Sequence, residues 1–244
     1  SAYGDKYQAN TLMPAAEKTK TALRLSDLGL QAKQLNHLLV KTKGNPALEV
    51  LTIGQGQPVL LIPAIGLTAP ICLNQIENWR EEFQLIVIHN PGYGLSELCK
   101  DIAVENVGRI FMDVLAALNI HQPISIVGSC FGGVLAQYLA KEYQEKVASL
   151  SLIGSFYQNF GLPDMKIEDL TIDQMVEGVK MIGSSIGRDF DVVSEALNGP
   201  YPPAEKVAKA KELLMKSQCV NALVVMRYIT QILVLSSEAW LPKI

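Results

Sequence analysis

Short continuous apolar runs alternate along the chain with stretches whose apolar residues recur at helical spacing. Four runs stand out, at 58–63, 83–88, 124–127 and 147–153. Runs of this length suit strands buried on both faces, as in a parallel sheet. Between them, about 69–82, about 101–119 and about 131–145 read as helices. In the middle one Ile102, Val107, Ile110, Phe111, Val114, Leu115 and Leu118 share one face. Upstream, 35–43 and 48–53 are strand-like on either side of Gly44-Asn45-Pro46, a hairpin signature closed by Gly54-Gln55-Gly56. Alternating strands and helices predict right-handed βαβ units, hence an α/β fold with a mostly parallel sheet and flanking helices. After about 155 the strand rhythm stops. Residues 164–235 read as helical, broken at 183–187 and 198–203. Three parts are therefore expected: a polar, Lys-rich N-terminal extension over 1–34, an α/β core over 35–155, and a helical lid over 156–244 that ends as the chain starts back toward the core.

Composition narrows the classes. The 244 residues are 49% hydrophobic and 18% charged, too apolar for a disordered chain. Lys+Arg is 21 against Asp+Glu 24, a net charge of -3, without the basic surplus of a nucleic-acid binder. No apolar run approaches the ~20 residues of a membrane span, and the most apolar late stretch, 222–235, carries Arg227 in its middle. The opening Ser1-Ala2-Tyr3-Gly4-Asp5 lacks the apolar segment of a secretory signal. Cys72, Cys99, Cys130 and Cys219 form no CxxC pair, which predicts reduced thiols and a cytoplasmic protein. His37, His89 and His121 are too scattered to predict a metal centre, and no cofactor is expected.

The stretch with the most chemistry is 124–133. An apolar strand runs into Gly128-Ser129-Cys130-Phe131-Gly132, and a helix follows. This is a G-x-nucleophile-x-G turn in the setting it requires. Glycines at 128 and 132 let strand and helix close on one another and hold the side chain at 130 above the sheet edge. The helix N-terminus beneath it favours negative charge, which for a thiol raises the thiolate fraction. The competing reading is a buried structural Cys130, with glycines that serve packing alone.

From about Leu35 onward the chain resembles the α/β-hydrolase fold superfamily. Val59-Leu60-Leu61-Ile62-Pro63-Ala64-Ile65-Gly66-Leu67 is similar to the family's strand and oxyanion loop, with Ile65 in place of the usual His. His89-Asn90-Pro91-Gly92-Tyr93-Gly94-Leu95-Ser96 is similar to its Asp-x-Pro-Gly-x-Gly-x-Ser loop, and 101–119 matches the helix before the nucleophile strand. The resemblance implies Cys130 as nucleophile, backbone N–H groups of Phe131 and Leu67 as the oxyanion hole, and Gly66, Gly128 and Gly132 in support. His89, at the catalytic edge of its strand, is a rival base, although the family draws its base from another loop. His121 is expected at the opposite edge, and His37 in the first strand, both structural or solvated.

Two departures shape the expected activity. Cysteine replaces the usual serine, which favours exchange of one thioester for another. Within the superfamily this resembles thioesterase-type members of polyketide and non-ribosomal peptide synthases. It implies hydrolysis, transfer or cyclisation of an activated acyl group through acyl-Cys130, on a substrate carried by an acyl or peptidyl carrier protein. A dienelactone hydrolase-like enzyme is an alternative, and so is Cys130 as a trapping replacement for serine. The second departure is that no His follows His121, and Asp164, Asp169, Asp173, Asp189 and Asp191 fall in the lid. The catalytic His and acid are not found, as though the chain stopped before the last strands and the general base. A non-catalytic binding or scaffold module of the same fold therefore stands beside the enzyme reading. A nucleotide-binding reading is weaker, because neither glycine-rich turn has the strand, helix and Lys of a phosphate cradle.

Overall fold

The computed structural model describes the backbone of residues 12–14, then residues 35–157, 224, 227 and 228. The seven strands are β1 (Leu12–Pro14), β2 (Leu35–Val40), β3 (Leu48–Ile53), β4 (Gln57–Ile62), β5 (Phe83–Ile88), β6 (Ile124–Ser129) and β7 (Val147–Ile153). The helices are α1 (Leu73–Trp79), α2 (Val104–Ala117) and α3 (Phe131–Glu142). The strands make one sheet in the order β1-β2-β3-β5-β4-β6-β7. β1, β2, β3 and β5 pair antiparallel in turn, while β5, β4, β6 and β7 run parallel. The expected hairpin and the four apolar runs are all strands. The lid expected over 156–244 lies almost wholly outside the described residues, and β1 is an addition. It is a three-residue edge strand inside the stretch read as an extension; so short a segment ending in Pro14 has no periodicity to betray it.

Period-2 alternation explains how the sheet feeds two cores. In β4, Leu60 and Ile62 face one core and Val59 and Leu61 the other. The first core packs against α2 through Val107, Ile110, Phe111 and Val114, and against α3 through Phe131, Leu135 and Leu139. The second packs against α1 through Ile76, with Ala69 and Cys72. β4 is hydrogen-bonded on both sides, and Pro58 is tolerated because it sits at the strand's start. α2 ends in a left-handed cap. Asn119 has φ 60°, Ile120 N–H reaches the Leu115 carbonyl at 3.0 Å, and Asn119 N–H reaches that of Ala116 at 3.0 Å.

β7 departs from expectation. Its apolar run predicts burial on both faces, yet Leu152 and Ile153 are 43% and 48% exposed. Ala148, Ser149 and Ser151 interrupt the apolar character, and β7 is the last strand of the described sheet. Among the described residues no helix is long and apolar enough to cross a membrane.

Candidate active site

β6 delivers the chain to Cys130, and α3 begins one residue later. Cys130 has φ 51° and ψ -120°, a backbone conformation that costs an ordinary L-residue about 1–3 kcal/mol. The surroundings hold it there. Cys130 N–H donates to the Ile153 carbonyl at 3.0 Å, and its own carbonyl accepts from Gly133 N–H at 2.9 Å and Ser155 Oγ at 3.1 Å. Ser155 is fixed in turn by buried Gln137, whose Nε2 donates to Ser155 Oγ at 3.3 Å and to the Phe156 carbonyl at 3.0 Å. The glycines are steric requirements. A Cβ at Gly128 would lie 2.6 Å from the Gly132 carbonyl oxygen and from Gly133 Cα, and one at Gly132 would strike the Ile62 and Pro63 carbonyls at the end of β4. Half-buried Cys130 contrasts with Cys72, which is buried under α1 and whose thiol burial pushes up to about 12.

Two loops follow the C-terminal ends of β4 and β5, the first starting where the Ile62 and Pro63 carbonyls abut Gly132. In the first, Ala64 to Leu67 form a tight turn with Gly66 at φ 73°, the third-position geometry that only glycine adopts readily. The turn engages the Leu67 N–H, which donates to the Ala64 carbonyl at 3.1 Å, so the expected second oxyanion donor is turned inward here. Gly66 N–H donates to Tyr93 Oη at 2.9 Å. Ile65, at the position of the usual His, is buried in the core. Phe131 opens α3, so its N–H belongs to the first turn, where no intrahelical acceptor exists.

The histidines are placed as follows. His89 is buried at the end of β5. Its Nδ1 lies 2.8 Å from Glu49 Oε2, and its Nε2 accepts from Ala69 N–H at 2.9 Å. Both ring nitrogens are therefore engaged, and neither is left to serve Cys130 as a base. His37 Nε2 lies 2.6 Å from Glu49 Oε1. Glu49 is wholly buried in β3 and also accepts from Leu95 N–H at 2.6 Å. Burial alone would raise its pKa. The His89 imidazole, hydrogen bonds from both imidazoles and the Leu95 N–H outweigh burial and hold the carboxyl well below the usual range. Exposed His121 precedes β6, a strand's length from Cys130 or on the order of 20 Å.

Three contributors were not singled out from sequence. Glu49 had a signal, as the lone charge in an apolar strand. Tyr93 sits inside a quoted loop motif but carried no assigned role. Tyr228 had none. Its ring meets Tyr93 edge-on at 5.2 Å and Phe131 at 5.7 Å, and its hydroxyl donates to the Pro91 carbonyl at 3.1 Å.

A strand, a strained turn that carries a thiol, a helix that starts one residue later and a loop from the neighbouring strand are the arrangement expected of the α/β-hydrolase fold. The family model described as alpha/beta hydrolase fold matches residues 57–179, half of the chain, and the chain belongs to that family. It is 25% identical over 210 residues to the polyketide synthase ThaQ of Burkholderia thailandensis, covering 84% of this chain and 10% of that protein. Over 106 residues it is 31% identical to the pimeloyl-[acyl-carrier protein] methyl ester esterase of Chromobacterium violaceum, covering 43% of this chain and 40% of the esterase. The chain thus spans well under half the length of these curated relatives. A hydrolase from Pseudomonas aeruginosa superposes with a TM-score of 0.63 at 17% identity, over 88% of this chain and 78% of the other.

Proposed function

We propose that this chain is a thioesterase-type acyl-transfer module in which Cys130 is the nucleophile. The thiolate attacks the carbonyl carbon of an acyl thioester, the C–S bond to the carrier breaks, and the carrier leaves as a thiolate that takes its proton from solvent. Acyl-Cys130 then yields its acyl group to water, an alcohol or an amine, and the sulfur returns as thiol or thiolate. The carrying observation is the backbone of Cys130 at φ 51°, pinned on both its N–H and its carbonyl, because such strain is kept where a side chain must be held in one place. The α3 dipole and the Phe131 N–H support charge on the sulfur and on the tetrahedral oxygen. The Leu67 N–H would join them on release from the Ala64 carbonyl. Carrier-bound substrates find support in the two relatives, one a polyketide synthase and the other named for an acyl-carrier protein ester.

The test is thiol release from a short-chain acyl-pantetheine thioester. A rapid burst of one thiol per chain, absent in Cys130→Ala, supports the reading. An undiminished burst in that variant overturns it. A binding module of the same fold is the second reading, favoured by the engagement of both His89 ring nitrogens and the distance of His121. It predicts thioester binding with no burst in either protein.

A further inference from the structure

Tyr93 joins the β4 and β5 loops through its bond to Gly66, and shares the Tyr228 ring with Phe131, the residue after Cys130. It is fully buried in the β5 loop, and Tyr228 lies edge-on to its ring. Among the described residues its hydroxyl takes part in one hydrogen bond, in which Oη accepts from Gly66 N–H at 2.9 Å. That bond occupies a lone pair and leaves the phenolic proton to be donated. A buried hydroxyl proton without an acceptor is costly, so the geometry calls for an acceptor that arrives with the substrate. The loop meanwhile engages its own N–H groups: Gly66 on Tyr93, and Leu67 on Ala64. The chain that follows Cys130 is tied to the same cluster, because Phe131 and Tyr93 pack on one ring, that of Tyr228.

From these contacts we propose that the Tyr93 hydroxyl is a side-chain oxyanion donor, relaying the Gly66 N–H to the tetrahedral oxygen formed at Cys130 and pairing with the Phe131 N–H. The proposal rests on the thioesterase-type reading above. Accepting from Gly66 polarises the O–H toward stronger donation. Tyrosine hydroxyls serve as such donors where the oxyanion is excluded from water. The titration of Tyr93 agrees with this placement. Burial raises its pKa and keeps the proton on, the Gly66 N–H opposes that, and the charge Cys130 would carry adds to the rise. No bond to Tyr93 is made or broken; its proton is shared with the oxyanion and stays on the phenol.

The test compares Tyr93→Phe with the native chain in two single-turnover reactions of Cys130. One is acylation by a short-chain acyl-pantetheine thioester, and the other is alkylation by iodoacetamide, with the modified cysteine located by peptide mass mapping. Alkylation passes through no oxyanion, so it reports on the thiol and on the integrity of the turn. The expected result is acylation slowed about 100-fold, the scale of losing one oxyanion donor, with alkylation within about twofold of native. Equal acylation rates overturn the proposal. Parallel losses in both reactions also overturn it, because they assign Tyr93 a purely structural part. A native chain that is alkylated at Cys130 but never acylated fails at the earlier step, and overturns the thioesterase-type reading and this donor with it.

Discussion

At the scale of single residues, the site depends on atoms that are missing as much as on atoms that are present. Gly132 has no Cβ because the Ile62 and Pro63 carbonyls occupy that space, and both are backbone, which cannot step aside. Gly132→Ala is expected to destabilise the fold by about 2–3 kcal/mol and to displace α3 from Cys130. Urea denaturation measures the first effect and the rate of Cys130 alkylation the second. Glu49 is the opposite case, a full charge where the pattern promised a hydrocarbon. Its carboxylate holds two imidazoles and, through His89, the Ala69 N–H of the loop that follows Gly66. Glu49→Gln is expected to cost about 3 kcal/mol at neutral pH. The pH dependence has a definite sign. The folded pKa lies below the ordinary value of 4.5, so the contribution is complete above 4.5 and is lost as pH falls toward the depressed value. Denaturation of both proteins between about pH 3 and pH 7 should show a constant gap that narrows below pH 4.5.

At the scale of elements, the strands and helices were legible because burial imposes periods that sequence records. β4, β5 and β6 emerged from four- to six-residue apolar runs, β2 and β3 from a hairpin signature, and α2 from a face repeated over three turns. Phe111, wholly buried where α2 meets the sheet, anchors that face, and Phe111→Ala is expected to cost about 3–5 kcal/mol by thermal or urea unfolding. The Cys130 turn was legible for a different reason. Its glycines answer to steric walls, and the strand before and helix after are both periodic, so motif and context agreed. The Glu49–His37–His89 cluster was not legible, since its members come from β2, β3 and the end of β5 and meet only through antiparallel register: His37 lies opposite Leu51, and Val50 opposite Ile88. Nothing local in the sequence states which strands are neighbours.

At the scale of the whole molecule, the site forms where parallel strands end, at the C-terminal edge of β4, β5 and β6, the usual crevice of an open α/β sheet. A residue nearly a hundred positions further on completes its wall. Tyr228 brings its ring to Tyr93 and Phe131, and Arg227 donates to the Cys99 and Lys100 carbonyls at 3.0 and 2.7 Å, so these two residues pack on the chain that follows β5. Tyr228→Ala is expected to slow acylation and to cost about 3–5 kcal/mol, whereas Tyr228→Phe keeps the ring contacts and most of the rate. The central claim is that Cys130 carries the acyl group. Its most direct test is to quench the native chain early in its reaction with an acyl-pantetheine thioester, digest it, and locate the acyl mass by peptide mapping. The account predicts one acyl group on the peptide containing Cys130, with Cys72 and Cys99 unmodified. Acyl mass elsewhere, or none while thiol is still released, would contradict it.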